Sequence, residues 1–135
     1  MKKIGIIGGG ILGLSLGYKL ALKKKYSIHI HEKEDELGKH QSGNNSGVLH
    51  CGLSYNPGSL KAKLSVEGIS KMIDFCKKHH IDHDICGKLV VATNEFEIKS
   101  LENLGKRGLM NGLSGLKILN KEEQIKREPN IHSLK

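Results

Sequence analysis

The fold is decided at the start of the chain, where residues 2–17 read KKIGIIGGGILGLSLG. The apolar run at residues 3–7 is typical of a buried parallel strand, and three consecutive glycines interrupt it. A helical pattern follows from Ile11 to about Lys24, and alternation from Tyr26 predicts a second strand that ends at Glu32. Residues 3–32 are therefore predicted to form one strand–helix–strand unit.

The first glycines have the G-x-G-x-x-G spacing of a dinucleotide-binding fingerprint. Gly8 is expected to permit the tight turn, Gly10 to let the backbone approach a pyrophosphate, and Gly13 to bring helix and strand together. The pyrophosphate would meet free N–H groups at the helix start, around Ile11 and Leu12, where the helix dipole favours negative charge. A glycine-rich turn without a ligand is the alternative.

Glu32 closes the second strand at the distance from the glycines that such fingerprints require. Its carboxylate would accept hydrogen bonds from ribose hydroxyls, and its charge disfavours a 2′-phosphate. FAD or NAD is therefore favoured over NADP, and the fingerprint alone does not separate the two.

The segment that follows is rich in Gly, Asn and Ser and has no periodicity. Its most specific parts read HQSGNNSGVLH at residues 40–50 and YNPGSLKA at residues 55–62, followed later by CGKLVVA at residues 86–92 and by Glu128-Pro129. These motifs resemble those of the L-2-hydroxyglutarate oxidases/dehydrogenases, which are D-amino-acid-oxidase-like flavoproteins. The resemblance covers essentially the whole chain.

The resemblance implies an α/β fold with two domains. A Rossmann-like FAD-binding part would occupy residues 1–80, and the start of an α+β substrate domain with a mixed sheet would occupy residues 81–135. Members of this family are much longer, so the chain is interpreted as an incomplete N-terminal fragment.

The resemblance also selects FAD as the cofactor and places the polar loop beside the flavin. In relatives, the positions matching Gln41, Ser42, Ser46 and Gly47 offer backbone N–H groups and small side chains; a solvent-exposed loop is the alternative reading. The predicted cofactor-binding residues are Gly8, Gly10, Ile11, Leu12, Gly13, Glu32, Lys33, Gln41, Ser42, Ser46 and Gly47.

The reaction implied is oxidation of the 2-hydroxyl of L-2-hydroxyglutarate to 2-oxoglutarate, with hydride transfer to the flavin and oxygen or a quinone as electron acceptor. His50 is the candidate catalytic acid or base, because histidine titrates near neutral pH and this one ends the loop. Tyr55 is a candidate for orienting substrate or for packing. The alternatives are a related enzyme that acts on an amino acid, an amine or glycerol 3-phosphate, and a nucleotide-binding fragment without activity.

Composition limits the other classes of function. A net charge of +8 suits an anionic substrate and a diphosphate, and the lysines are too scattered to predict nucleic-acid binding. Cys76, His79, His83 and Cys86 have a spacing that zinc sites use, but Cys76 lies on an apolar helix stripe, so no metal is predicted. An odd count of 3 cysteines indicates a reducing compartment.

The first residues resemble a secretory signal only weakly, since glycines and Lys19 interrupt the apolar run. The chain is therefore expected to be unprocessed and cytoplasmic, with peripheral association to the inner membrane as a further possibility. Later segments predict a helix at residues 59–79, strands at residues 88–93 and 116–119, and helices capped by Asn94 with Glu97 and by Asn120 with Glu123.

Overall fold

A computed structural model describes residues 1–134 and divides the chain into two compact units, Met1–Val48 and Leu49–Lys135. Compactness does not test domain membership, so the division after residue 80 stays a prediction. The elements in chain order are β1 (Lys2–Ile7), α1 (Ile11–Ala21), β2 (Tyr26–His31), α2 (Leu60–His79), α3 (Glu95–Met110) and α4 (Lys121–Arg127).

The first unit is the predicted strand–helix–strand unit, which confirms the α/β class. β1 and β2 pair in parallel, with Lys2 opposite Tyr26 at one end and Ile7 opposite His31 at the other. α1 packs on this sheet through its small residues: Gly17 is buried, and a Cβ added there would lie 3.0 Å from the Ile30 side chain. Leu12 and Leu16 lie on the exposed side of α1, with 83% and 52% of their surface exposed.

The second unit is helical, and each helix start is capped by a side chain. Ser59 accepts a hydrogen bond from the Ala62 N–H at the start of α2, and Asn120 with Glu123 forms the predicted capping box of α4. The buried Gln124 amide on α4 donates to the carbonyls of Glu128 and Ile131 and accepts from Ser133. A buried polar group fully paired in this way fixes the backbone that follows α4.

The capping box predicted for α3 is wrong in its second half. Asn94 accepts from the Glu97 N–H as expected, but the Glu97 carboxylate bonds to the N–H and the hydroxyl of Thr93, at 2.8 Å and 2.9 Å. Two donors on one residue satisfy the carboxylate better than the single N–H of Asn94.

The strands predicted at residues 88–93 and 116–119 are not formed within residues 1–134, where β1 and β2 are the strands. A strand needs a neighbouring strand to which its backbone N–H and C=O groups can hydrogen-bond. Residues 88–93 have one backbone hydrogen bond to a distant segment, from the Leu134 N–H to the Ala92 carbonyl. The mixed sheet is thus not observed. Across residues 1–134, no helix has both the length and the apolar character needed to cross a bilayer.

Candidate cofactor site

The turn after β1 depends on a backbone conformation that favours glycine. Gly8 has φ of +103°, a region that side-chain-bearing residues rarely adopt. Its N–H donates to the His31 carbonyl at 2.8 Å and so ties the turn to the end of β2. The structural reason predicted for this glycine is confirmed.

Gly13 brings α1 against the turn. A Cβ built at this position would lie 2.0 Å from the Gly8 carbonyl oxygen and 3.3 Å from the Ile6 side chain. No real Cβ makes such a contact with backbone, so any side chain here would push the helix away from the sheet. The predicted close approach of helix and strand is confirmed.

Glu32 is held by three backbone N–H groups. Its Oε2 accepts from Gly9 at 2.6 Å, and its Oε1 accepts from Lys33 at 2.8 Å and from Glu34 at 3.2 Å. The N–H of Gly9, and then that of Glu34, hold the pKa of this carboxyl below its ordinary value. A carboxylate has about four acceptor positions, so about one, on Oε2, is left for another donor.

Gly9 is the site residue that sequence reasoning missed. A Cβ there would lie 2.5 Å from Leu37 and 3.1 Å from the Glu32 carboxylate, while its N–H donates to Glu32 and its carbonyl accepts from Gly38. The fingerprint leaves this position free, and the only signal was a run of three glycines.

Ser42 reaches the first turn of α1 from the polar loop. Its hydroxyl oxygen accepts from the Ile11 N–H at 2.8 Å, and a Cβ at Gly10 would lie only 3.0 Å from the same oxygen. Gly10 therefore makes room for Ser42. For the next two N–H groups, of Leu12 and Gly13, residues 1–134 supply no acceptor.

A groove at the carboxyl ends of β1 and β2 gathers the predicted residues. Six of them line it: Gly8, Gly10, Glu32, Lys33, Gln41 and Ser42. Ile7 forms an apolar edge of the same groove and is 94% exposed. Ligands of parallel α/β sheets bind at this end of the strands.

A family model described as FAD dependent oxidoreductase matches residues 3–135. The chain belongs to this family. It is also 48% identical to the mitochondrial L-2-hydroxyglutarate dehydrogenase of Dictyostelium discoideum over 123 residues, which are 90% of this chain and 28% of that protein.

Two further relatives give the same result. Identity is 45% to the mitochondrial L-2-hydroxyglutarate dehydrogenase of Nematostella vectensis, over 97% of this chain and 29% of that protein. Identity is 46% to the L-2-hydroxyglutarate dehydrogenase of Indibacter alkaliphilus, over 92% of this chain and 31% of that protein. The resemblance noted in the sequence is confirmed, and the chain spans less than a third of the length of these relatives.

The described residues fit the cofactor of the FAD-dependent oxidoreductase family. Leu12 and Gly13 present two free N–H groups at the positive end of α1, as a pyrophosphate requires. Glu32 keeps one acceptor position for a ribose hydroxyl, and Ile7 offers apolar surface to an aromatic ring.

The remaining loop residues are mostly engaged within the loop. Gln41 donates from Nε2 to the Asn44 carbonyl at 3.0 Å, and Gly47 has φ of +65° with its N–H on Asn45. Ser46 is exposed, and Lys33 pairs with the Glu34 carboxylate at 3.3 Å. Direct cofactor contacts by these residues stay predictions.

The catalytic candidate and the zinc alternative lie in the second unit. His50 is exposed, and its catalytic role stays a prediction. Lys61 lies over the Tyr55 ring at 4.4 Å from the centroid, so this ring packs against a cation. Within residues 1–134, no three His, Cys, Asp or Glu side chains converge as metal ligands, so the Cys76–Cys86 spacing has no geometric support.

The lowered pKa of Glu32 makes the stability of the first unit depend on pH. A carboxylate whose pKa is depressed on folding stabilises the fold above its ordinary value of 4.5, and this contribution is lost as pH falls through the folded value. We expect the difference in melting temperature between the wild type and Glu32→Gln to shrink between about pH 6 and about pH 3. Thermal unfolding across that range measures it, and a difference that does not change with pH would count against the three-donor arrangement.

Proposed function

We propose that this protein is an FAD-dependent oxidoreductase that oxidises the 2-hydroxyl of L-2-hydroxyglutarate to 2-oxoglutarate. The observation that carries the proposal is the match of at least 90% of this chain to L-2-hydroxyglutarate dehydrogenases. The free N–H groups at the start of α1 and the held carboxylate of Glu32 support its cofactor part, the binding of FAD.

Different residues in and beside the groove would bind different parts of the cofactor. Leu12 and Gly13 would hold the pyrophosphate, Glu32 a ribose hydroxyl, and Ser42 a phosphate oxygen through the hydroxyl hydrogen that its bond to Ile11 leaves free. FAD, when bound, supplies a two-electron acceptor. Oxygen or a quinone is proposed to take the electrons onward.

The substrate side rests on the resemblance. A mixed-sheet substrate domain from residue 81 onward would enclose a dicarboxylate, for which the net charge of +8 is favourable. His50 would take the hydroxyl proton as a general base. The compartment is not decided by the relatives, since the names of two carry the word mitochondrial and the bacterial one does not; a cytoplasmic location with peripheral membrane association stays a prediction.

The proposal is tested by anaerobic reduction of the complete gene product. After purification with excess FAD, addition of L-2-hydroxyglutarate is expected to bleach the flavin absorption band, and the D-enantiomer is not. Bleaching by an amino acid, an amine or glycerol 3-phosphate in its place would assign a different substrate. If the protein binds flavin and none of these compounds bleaches it, the protein is a nucleotide-binding module without this oxidase activity.

A further inference from the structure

The loop that carries Ser42 is held together by two asparagine side chains. We call residues 39–47 the serine loop; it contains no strand and no α-helix. Asn44 Nδ2 donates to the carbonyls of Lys39 and His40, at 2.6 Å and 2.9 Å. These two bonds close the first half of the loop into a tight turn.

Asn45 closes the second half and bonds to Ser42 itself. Its Nδ2 donates to the Gln41 carbonyl at 3.0 Å and to the Ser42 carbonyl at 2.8 Å, and its Oδ1 accepts from the Gly47 N–H at 2.7 Å. The backbone of Ser42 is therefore fixed from one side by Asn45, while its hydroxyl meets the Ile11 N–H at 2.8 Å.

The side-chain NH₂ groups of Asn44 and Asn45 donate all their hydrogen bonds inside the loop. A side-chain NH₂ group carries two hydrogens, and in each asparagine both have a backbone carbonyl as partner. Neither Asn44 nor Asn45 can donate to a cofactor without releasing the loop. Their polar character therefore acts on the position of the backbone.

Burial does not fix the serine loop, because Ser42 is half-buried and every other residue from Lys39 to Gly47 is exposed. An exposed segment without apolar contacts gains its order from hydrogen bonds, which must offset the entropy of fixing each residue. Without them, Ser42 would spend less time at the start of α1.

We propose that Asn45, supported by Asn44, is a positioning residue that holds Ser42 at the N-terminus of α1 for cofactor binding. The proposal rests on FAD binding at this groove. Asn45 acts through Ser42 and does not touch the cofactor.

Asn45→Asp in the complete gene product tests the proposal. Aspartate keeps the oxygen that accepts from Gly47 but replaces the NH₂ group with an oxygen that faces two carbonyls. We expect the dissociation constant for FAD to rise about tenfold, as titration of the flavin-free protein measures. Asn103→Asp makes the same chemical change at an exposed site in α3 and should leave the constant unchanged.

A double variant separates positioning from a general effect on the loop. If Asn45 acts through Ser42, adding Asn45→Asp to Ser42→Ala should change the constant by less than about twofold. Effects that multiply fully in the double variant would overturn the proposal. Asn44→Asp, whose bonds lie farther from Ser42, should raise the constant by about threefold.

The outcomes for the inference and for the proposed function differ. A wild-type protein that binds no FAD contradicts the proposed function. A wild-type protein that binds FAD while Asn45→Asp binds it equally well overturns the positioning role alone. Circular dichroism of each variant checks that the exposed substitution leaves the fold intact.

Discussion

Gly13→Ala is expected to raise the dissociation constant for FAD by about 100-fold and to lower the free energy of unfolding by about 3 kcal/mol. The added Cβ would lie 2.0 Å from the Gly8 carbonyl oxygen, which is backbone and cannot rotate away. Relief requires α1 to move outward, which moves the free N–H groups of Leu12 and Gly13 away from the Gly8 turn. Titration with FAD and denaturant unfolding measure the two effects.

Gly68→Ala is the matched control for this substitution. Gly68 lies in α2, and a Cβ added there would have nothing within 4 Å, so alanine should stabilise the helix by up to about 1 kcal/mol and leave FAD binding unchanged. If Gly13→Ala behaves like Gly68→Ala, the close approach of α1 to the Gly8 turn is wrong.

Glu32→Gln is expected to weaken FAD binding by roughly 10- to 100-fold, because hydrogen bonds to a charged acceptor are among the stronger ones. The amide has a single acceptor oxygen, whereas the carboxylate serves Gly9 with one oxygen and Lys33 and Glu34 with the other. An NH₂ group in place of Oε2 faces the Gly9 N–H and removes the ribose acceptor, and one in place of Oε1 faces the N–H groups of Lys33 and Glu34. Either orientation disturbs the carboxylate that the ribose is proposed to contact.

Glu36→Gln is the control, since Glu36 is an exposed carboxylate only four residues along the same segment. It removes one negative charge near the groove without touching the three N–H groups. Equal effects of the two substitutions on the dissociation constant would mean that net charge, and not the geometry of Glu32, governs binding.

The strand–helix–strand unit was predictable because its signals are local. Residues 3–7 have the apolar run of a strand, and the spacing of Gly8, Gly10 and Gly13 has a meaning in such a turn wherever it occurs. The approach of α1 to β1 followed from Gly13 alone. These features need no knowledge of what the rest of the chain does.

The contacts that complete the site were harder to predict from the sequence, because they join residues far apart in the chain. Ser42 bonds to Ile11 across 31 positions and Glu32 to Gly9 across 23. Family resemblance selected Ser42 as a cofactor residue, but it did not indicate that its hydroxyl meets the helix start. The ribose role predicted for Glu32 did not reveal that its carboxylate also holds the glycine turn.

In the second unit, two strands were predicted from the sequence but are not formed. Residues 88–93 are rich in β-branched side chains, and residues 116–119 are apolar except for Lys117, so both have the local composition of strands. Strand formation depends on a partner for the backbone, which composition does not encode. Within residues 1–134, neither segment has such a partner strand.

The start of α1 and the Glu32 carboxylate are proposed to hold the pyrophosphate and the adenosine ribose of the cofactor. Titration of the flavin-free complete gene product with FAD and, separately, with FMN tests this most directly, since FMN has a single phosphate and lacks the adenosine and the pyrophosphate bridge. We expect FAD to bind one per chain and about 100-fold or more tighter than FMN. Equal affinities for the two flavins would contradict the claim.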